Sequence, residues 1–147
     1  MTQTIRFGII GCGLMGREFA SAAARWCHLT EEIARPEIVG VCDTNEQARG
    51  WFVRNFSSVK YSVDDYHELL ARPDIDAIYC ALPHVLHEKV YTDIICAGKH
   101  LLGEKPFGID KAANDAIMAA IAAHPEVIVR CSSEFPYYPA CQELIRW

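Results

Sequence analysis

A glycine-rich hexapeptide constrains the fold of this chain more than any other feature of its sequence. Gly11, Gly13 and Gly16 form a G-x-G-x-x-G pattern. A β-branched, nearly uncharged run at residues 5–10 precedes the pattern, and a segment with helical periodicity follows it. A strand, a turn and a helix in this order are typical of the first unit of a parallel α/β sheet. We therefore predict a buried strand before Gly11 and a helix after Gly16.

The rest of the chain alternates between strand-like and helix-like segments. Further strand-like runs cover residues 37–42, 59–63, 75–82, 99–103 and 127–131. Apolar residues recur at helical spacing in residues 19–24, 66–70, 90–95 and 113–121. Because parallel neighbours are joined by long crossovers, this alternation predicts an α/β fold. We expect a doubly wound parallel sheet of about six strands, that is, a Rossmann fold.

Capping residues mark several of the predicted helix ends. Ser62 and Asp65 have the spacing of a capping box, and Asp110 is placed as an N-cap. Gly98 suits the position after a helix C-terminus. A last helical pattern begins at Pro139 and stops after about two turns without a cap. We therefore expect residues 1–147 to be one dinucleotide-binding domain, cut at the start of a linking helix.

Composition narrows the class of protein. The chain has 14 Lys and Arg against 19 Asp and Glu, a formal charge of −5, with no run of like charge. Nucleic-acid binding and a basic membrane surface are disfavoured, because both need clustered cations. No apolar stretch approaches the ~20 residues of a membrane span, and the opening lacks a secretory segment. The seven cysteines include no C-x-x-C pair, so we expect a cytoplasmic protein with mostly buried thiols.

The three glycines suit the binding of a dinucleotide pyrophosphate. Gly11 permits a tight turn, Gly13 lets the backbone approach the pyrophosphate, and Gly16 lets the helix pack against the strand. Free amides at the helix N-terminus face the anion. The predicted cofactor-binding residues of this turn are Gly11, Cys12, Gly13, Leu14, Met15 and Gly16. Two alternatives stay open, namely that the glycines only close a turn and that the pyrophosphate belongs to FAD.

An acid at the end of the second predicted strand indicates which cofactor binds. Asp43 can accept hydrogen bonds from both hydroxyls of an adenosine ribose, and its charge repels a 2′-phosphate. NAD is therefore favoured over NADP. Asp43 lies 27 residues after Gly16, beyond the usual ~20, and we interpret residues 29–36 as an insertion that explains the excess. The alternative is that Asp43 is a helix cap.

Two later segments carry a resemblance to a known family. One runs from Asp76 through Leu82-Pro83-His84 to His87, and the other from Ala97-Gly-Lys-His to Glu104-Lys105-Pro106. Together with the glycine pattern, these segments resemble the N-terminal domain of the glucose-fructose oxidoreductase and inositol dehydrogenase (Gfo/Idh/MocA) family. In that family a strand ends in Thr-Pro-Asn, a His follows three residues later, and Ala-Gly-Lys-His precedes Glu-Lys-Pro. The resemblance covers essentially the whole chain.

The resemblance implies a set of site residues. Lys105 is the implied catalytic residue, because the family lysine lies beside the nicotinamide and the substrate, where it can polarise the reacting oxygen or move its proton. His87 is expected to order its loop at a helix N-terminus. The alternative for Lys105 is a surface lysine paired with Glu104. We predict no metal site, because His84, His87 and Glu88 offer too few converging donors. The implied cofactor-contacting residues here are Leu82, Pro83, His84, His87, Glu104 and Lys105.

The resemblance also implies a reaction. Family members are NAD(P)-dependent oxidoreductases that act on sugars, cyclitols or similar polyols, and a second α/β domain covers the nicotinamide and supports homo-oligomers. We expect that domain to be missing here and this chain alone to be inactive. Pro136 stands where the family commonly has Arg in an Arg-Tyr-x-Pro motif, whereas Tyr137 and Pro139 match. The alternative function is a non-catalytic nucleotide-binding or redox-sensing module.

Overall fold

The computed structural model describes residues 2–28, 30, 34–133 and 135–147, and its centre is a six-stranded parallel sheet. The strands are β1 (Gln3–Ile10), β2 (Ala34–Cys42), β3 (Tyr61–Val63), β4 (Ala77–Cys80), β5 (His100–Glu104) and β6 (Val129–Ser132). The helices are α1 (Leu14–Ala24), α2 (Glu46–Asn55), α3 (Tyr66–Leu70), α4 (His87–Cys96), α5 (Lys111–Ala123) and α6 (Pro139–Arg146). The strand order β3-β2-β1-β4-β5-β6, parallel throughout, confirms the predicted doubly wound fold.

Alternate side chains of the strands build two separate cores. On one face Ile10 and Ile78 pack with apolar side chains of α3, α4 and α5. On the other face Ile9, Val41 and Tyr79 pack with α1 and α2. A strand covered on both faces has no polar side, and this explains the near-continuous apolar runs in the sequence.

All six predicted strands and the four predicted helices are present, but the structure adds a helix that the periodicity did not predict. This helix, α2, has Phe52 as its buried residue and is otherwise polar or partly exposed. The Asn45 side chain caps it by accepting from the amides of Gln47 and Ala48. Asn45 followed by Glu46 was the available signal, because both residue types favour a helix N-terminus.

The predicted caps have a mixed outcome. Asp110 caps α5 by accepting from the Ala113 amide at 2.9 Å, and Gly98 follows α4 with a φ of 71°. The predicted Ser62–Asp65 capping box is wrong, because Ser62 lies within β3. Asp65 itself is the N-cap of α3 and accepts from the His67 amide at 3.0 Å. Residues 29 and 31–33 of the predicted insertion lie outside the described residues.

The cysteines are less buried than expected. Cys12, Cys42 and Cys80 are buried, whereas three others are exposed and Cys141 is intermediate. Burial raises the pKa of each of the three buried thiols to about 12, so none of them is a thiolate at neutral pH. Among the described residues no cluster of His, Cys, Asp or Glu is arranged to hold a metal ion. None of the described helices is long and apolar enough to cross a membrane.

An ion pair at the start of β4 gives the fold a testable pH dependence. Arg6 donates to both carboxylate oxygens of Asp76, at 2.9 and 2.6 Å, and these hydrogen bonds hold the pKa of Asp76 below its usual value. A lowered folded-state pKa stabilises the fold above pH ~4, and this contribution disappears as the pH falls through the folded value. Asp76→Asn should therefore lower the melting temperature by about 4 °C at pH 7 and hardly at all near pH 2.

Thermal unfolding at pH 7, 5 and 2 tests this expectation. The matched control is Asp115→Asn, which breaks the more exposed Lys111–Asp115 pair on α5 and should change little at any pH. A melting difference between wild type and Asp76→Asn that is the same at pH 7 and pH 2 would refute the ionic contribution.

Candidate functional site

A cavity of about 800 Å³ opens at the carboxyl ends of β1, β2 and β4. The strand order reverses between β1 and β4, and open α/β sheets bind their ligands at this kind of switch point. Of the predicted site residues, those that line the cavity are Gly11, Gly13, Asp43, Leu82 and Pro83. Lining residues that the sequence did not predict include Thr44, Asp64, Asp65, Tyr66, His67, Leu86, Lys89 and Val90.

The three glycines of the hexapeptide meet three different demands. Gly11 has a φ of 97°, and a Cβ atom there would lie 2.4 Å from the carbonyl oxygen of Ala81. A Cβ on Gly16 would lie 2.2 Å from the carbonyl oxygen of Gly11. A Cβ on Gly13 would meet nothing within 4 Å. Gly11 and Gly16 therefore serve the turn and the helix packing, and Gly13 leaves the face towards the cavity open.

Helix α1 begins directly at this loop, with Gly13 as its N-cap. The backbone amide of Arg17 donates to the Gly13 carbonyl at 3.2 Å, which is the first hydrogen bond of the helix. The amides of Leu14, Met15 and Gly16 precede that bond, so helix geometry gives them no acceptor within α1. They form a positive end suited to an anion. The side chain of Cys12 is fully buried and does not line the cavity.

Asp43 joins the end of β2 to the glycine loop. One carboxylate oxygen accepts from the Cys12 amide at 2.8 Å, and the other accepts from the Asn45 amide at 2.8 Å. A carboxylate offers about four acceptor positions, so two of them stay available to ribose hydroxyls. The N-cap of α2 is Asn45, so the alternative in which Asp43 caps this helix is wrong.

The wall next to Asp43 is acidic. Asp64 and Asp65 line the same cavity at the end of β3. Lys89 also lines it, but its ammonium donates to Asp93 at 2.6 Å and to the Tyr66 hydroxyl at 2.9 Å. The hydrogen bond with Asp93 raises the pKa of Lys89 and neutralises its charge locally. Because both acids follow a strand as Asp43 does, their position after β3 was the signal that could have identified them.

The loop after β4 contributes differently from what the resemblance implied. Leu82 and Pro83 line the cavity, whereas His84 is exposed outside its lining. His87 is fully buried, and its ring nitrogens lie 2.8 Å from the Pro106 carbonyl oxygen and 3.0 Å from that of Leu82. The buried ring does not line the cavity, and the contact of His87 with the cofactor stays a prediction. His87 links two loops.

Glu104 and Lys105 point in different directions at the end of β5. The Glu104 carboxylate is buried, accepting from the Tyr79 hydroxyl at 2.8 Å and from the Lys105 amide at 3.2 Å. The carboxylate faces the protein interior and does not line the cavity, and the contact of Glu104 with the cofactor stays a prediction. Its contact with Lys105 is made through the backbone amide, and the Lys105–Pro106 peptide bond is cis.

Lys105 lines a second, smaller cavity. This cavity has a volume of about 290 Å³, and its other described lining residues are Ser133, Phe135 and Tyr138. The two aromatic rings meet edge to face with their centroids 6.0 Å apart. Pro136 lies in the turn before α6; Glu134 lies outside the described residues. Asp43 and the glycine loop thus lie at the 800 Å³ cavity, whereas Lys105 lies at the smaller one.

Comparison with known proteins decides between related families that share this fold. Residues 5–132 match the family model of the Gfo/Idh/MocA oxidoreductases, described as an oxidoreductase family with an NAD-binding Rossmann fold. The chain belongs to the Gfo/Idh/MocA family. The 800 Å³ cavity is thus that of an NAD(P)-binding Rossmann domain.

Relatives of this Gfo/Idh/MocA chain include two named enzymes. It is 29% identical over 141 residues to an inositol 2-dehydrogenase of Burkholderia ambifaria, covering 92% of this chain and 38% of that protein. It is 32% identical over 115 residues to a dTDP-3,4-didehydro-2,6-dideoxy-alpha-D-glucose 3-reductase of Actinomadura kijaniata, covering 78% of this chain and 32% of that protein. The chain spans about a third of the length of the curated relatives that it matches.

Solved structures of two enzymes share the fold. The scyllo-inositol dehydrogenase of Lactobacillus casei with bound NAD(H) and scyllo-inositol superposes with a TM-score of 0.84 at 22% identity, covering 98% of this chain and 41% of that one. The 3-ketoreductase KijD10 of Actinomadura kijaniata, in complex with NADP and TDP-benzene, gives a TM-score of 0.79 at 25% identity, covering 98% and 42%. The two complexes hold different cofactors.

Proposed function

We propose that this domain binds NAD and serves an oxidoreductase that acts on a sugar, cyclitol or similar polyol. The proposal rests on the hydrogen bond that the Cys12 amide of the glycine loop donates to the Asp43 carboxylate. This bond places a carboxylate that can bind ribose beside Gly13, where a Cβ would meet nothing within 4 Å, and beside the free amides at the start of α1. In this arrangement Asp43 binds the adenosine ribose. The amides of Leu14 and Met15 bind the pyrophosphate.

The preference for NAD over NADP is supported by the charges around the ribose position. Asp43, Asp64 and Asp65 line the cavity, and the Lys89 ammonium among them is paired with Asp93. A 2′-phosphate would bring up to about two further negative charges against these carboxylates. Each repulsion at ~4 Å is worth about 1 kcal/mol even in water. We therefore propose that Asp43 both holds the two ribose hydroxyls and rejects the phosphate.

Lys105 is proposed to act on the substrate oxygen. Bound NAD supplies a hydride acceptor. The Lys105 amine can take the hydroxyl proton as a carbinol is oxidised, and its ammonium returns that proton in reduction. Ser133 and Tyr138, which both carry hydroxyls, line the same cavity, and residues of this kind suit a polyol. The named relatives, which include an inositol dehydrogenase and a sugar-nucleotide reductase, support this substrate class for a whole protein of their length.

Separate titrations with NADH and NADPH test the proposal on the chain itself. We expect micromolar binding of NADH, followed by nicotinamide fluorescence or calorimetry, and at least about tenfold weaker binding of NADPH. Failure to bind either cofactor would refute the dinucleotide site, whereas tighter binding of NADPH would refute the assignment to NAD. AMP as a competitor provides a control, because it should displace NADH if the adenosine end lies at Asp43.

A further inference from the structure

Glu104, the residue before Lys105, is held from both faces of the sheet. From one face Tyr79 donates its hydroxyl to the Glu104 carboxylate at 2.8 Å. From the other face Tyr91 donates its hydroxyl to the Glu104 carbonyl oxygen at 2.9 Å. The free carboxylate oxygen of Glu104 then accepts from the Lys105 amide at 3.2 Å. The end of β5 is therefore fixed at its side chain and at its main chain.

Tyr79 is itself held rigidly. Its side chain is 2% exposed, and its ring stacks on Phe19 with centroids 4.3 Å apart and planes 11° apart. Burial and the hydrogen bond to Glu104 raise the pKa of Tyr79, so its hydroxyl keeps its proton and can only be the donor to the carboxylate. Hydrogen bonds to a charged group are among the stronger ones in proteins.

Stability alone does not explain why the Glu104 carboxylate is buried against Tyr79. Tyr79 otherwise packs in an apolar cluster that includes Ile9 and Val41. Replacing a buried polar pair by apolar residues of similar volume is often neutral or stabilising. The pair does, however, fix the orientation of the peptide that leads into Lys105. Its geometry is thus better suited to positioning than to stabilisation.

We propose that Tyr79 is a positioning residue for Lys105. Its hydroxyl orients the Glu104 carboxylate, which holds the Lys105 amide and so sets where the Lys105 ammonium lies relative to the nicotinamide. This inference rests on the proposed function, in which Lys105 adjoins the nicotinamide end of bound NAD.

The position of the ammonium can be measured without turnover. The oxidised nicotinamide carries a positive charge and the reduced ring does not, so a nearby ammonium disfavours NAD⁺ relative to NADH. Two like charges ~5 Å apart in water change the affinity ratio by about fourfold. Lys105→Met should therefore lower the ratio of the NAD⁺ and NADH dissociation constants by about fourfold. A general loss of stability affects both dissociation constants and cancels in the ratio.

Tyr79→Phe should lower the same ratio by about twofold to fourfold, because the Lys105 peptide is no longer held in one place. In the double variant Tyr79→Phe with Lys105→Met the ratio should equal that of Lys105→Met alone. The matched control is Tyr61→Phe, which removes a hydroxyl that donates to the Asp74 carboxylate near β3, at the opposite edge of the sheet. This control should leave the ratio unchanged.

The outcomes separate the inference from the proposed function. The inference alone is overturned if Lys105→Met shifts the ratio and Tyr79→Phe leaves it at the wild-type value. It is also overturned if Tyr79→Phe changes the ratio as much in the Lys105→Met variant as in wild type. An unshifted Lys105→Met ratio overturns the proposed place of Lys105 and the inference with it. If Tyr79→Phe does not fold, Glu104→Ala cuts the same link, and its ratio is measured with and without Lys105→Met. The part of its effect that disappears in the double variant reports the position of Lys105, and that part should lower the ratio.

Discussion

Gly13→Ala should weaken NADH binding by about 10- to 100-fold and leave the fold intact. A Cβ atom at this position meets nothing within 4 Å, and the φ of −71° is negative, as is usual for alanine. The protein itself therefore does not require glycine here. An anion that accepts from the amides of Leu14 and Met15 must approach to ~2.9 Å, and the new methyl group would stand in its path. Losing one or two such charge-assisted bonds gives the expected range.

Calorimetric titration of NADH, with thermal unfolding of the same samples, measures both halves of this expectation. Gly50→Ala, in the middle of α2, is the matched control: its Cβ would meet only the end of the flexible Arg54 side chain, and it should bind NADH as wild type does. Gly16 is less informative, because a Cβ there collides with the Gly11 carbonyl and would disturb fold and binding together. Undiminished NADH binding by Gly13→Ala would place the pyrophosphate elsewhere.

The sequence predicted most of the fold because the sheet is parallel and covered on both faces. The runs at residues 5–10 and 37–42 are buried over residues 8–10 and 38–42, so they stand out from their surroundings. Helix α2 has one fully buried residue, Phe52, and half of its residues are polar, so periodicity could not reveal it. The sequence signal that could have predicted this helix was its N-cap, Asn45.

The sequence predicted those parts of the candidate site whose position is set by the backbone. It did not predict the parts that depend on the direction of a side chain. Gly11 and Asp43 follow strand ends and Gly16 lies in the first turn of α1, and the fold class alone sets these positions. The directions of Glu104 and His87 depend on partners that are distant in sequence, namely Tyr79 and the Pro106 carbonyl. No spacing rule reveals such partners. A motif match therefore placed both residues at the cofactor, whereas neither side chain lines the cavity.

Asp43→Asn should reduce the preference for NADH over NADPH by at least about tenfold. The substitution removes the charge that repels a 2′-phosphate and weakens the acceptor for the ribose hydroxyls, so NADH affinity falls while that of NADPH holds or rises. Asparagine keeps one side-chain oxygen that can still accept from the Cys12 or Asn45 amide, so it disturbs the loop less than alanine does. Titrating both cofactors against both proteins gives the ratio directly.

Glu46→Gln is the control for this measurement. Glu46 lies three residues after Asp43 in the first turn of α2, carries the same charge and does not line the cavity. If long-range charge alone set the preference, the two variants would behave alike, because both remove one negative charge. If Asp43 acts by direct contact, only Asp43→Asn changes the ratio. Equal loss of both cofactors, or of neither, would mean that the carboxylate serves only to hold the Cys12 and Asn45 amides.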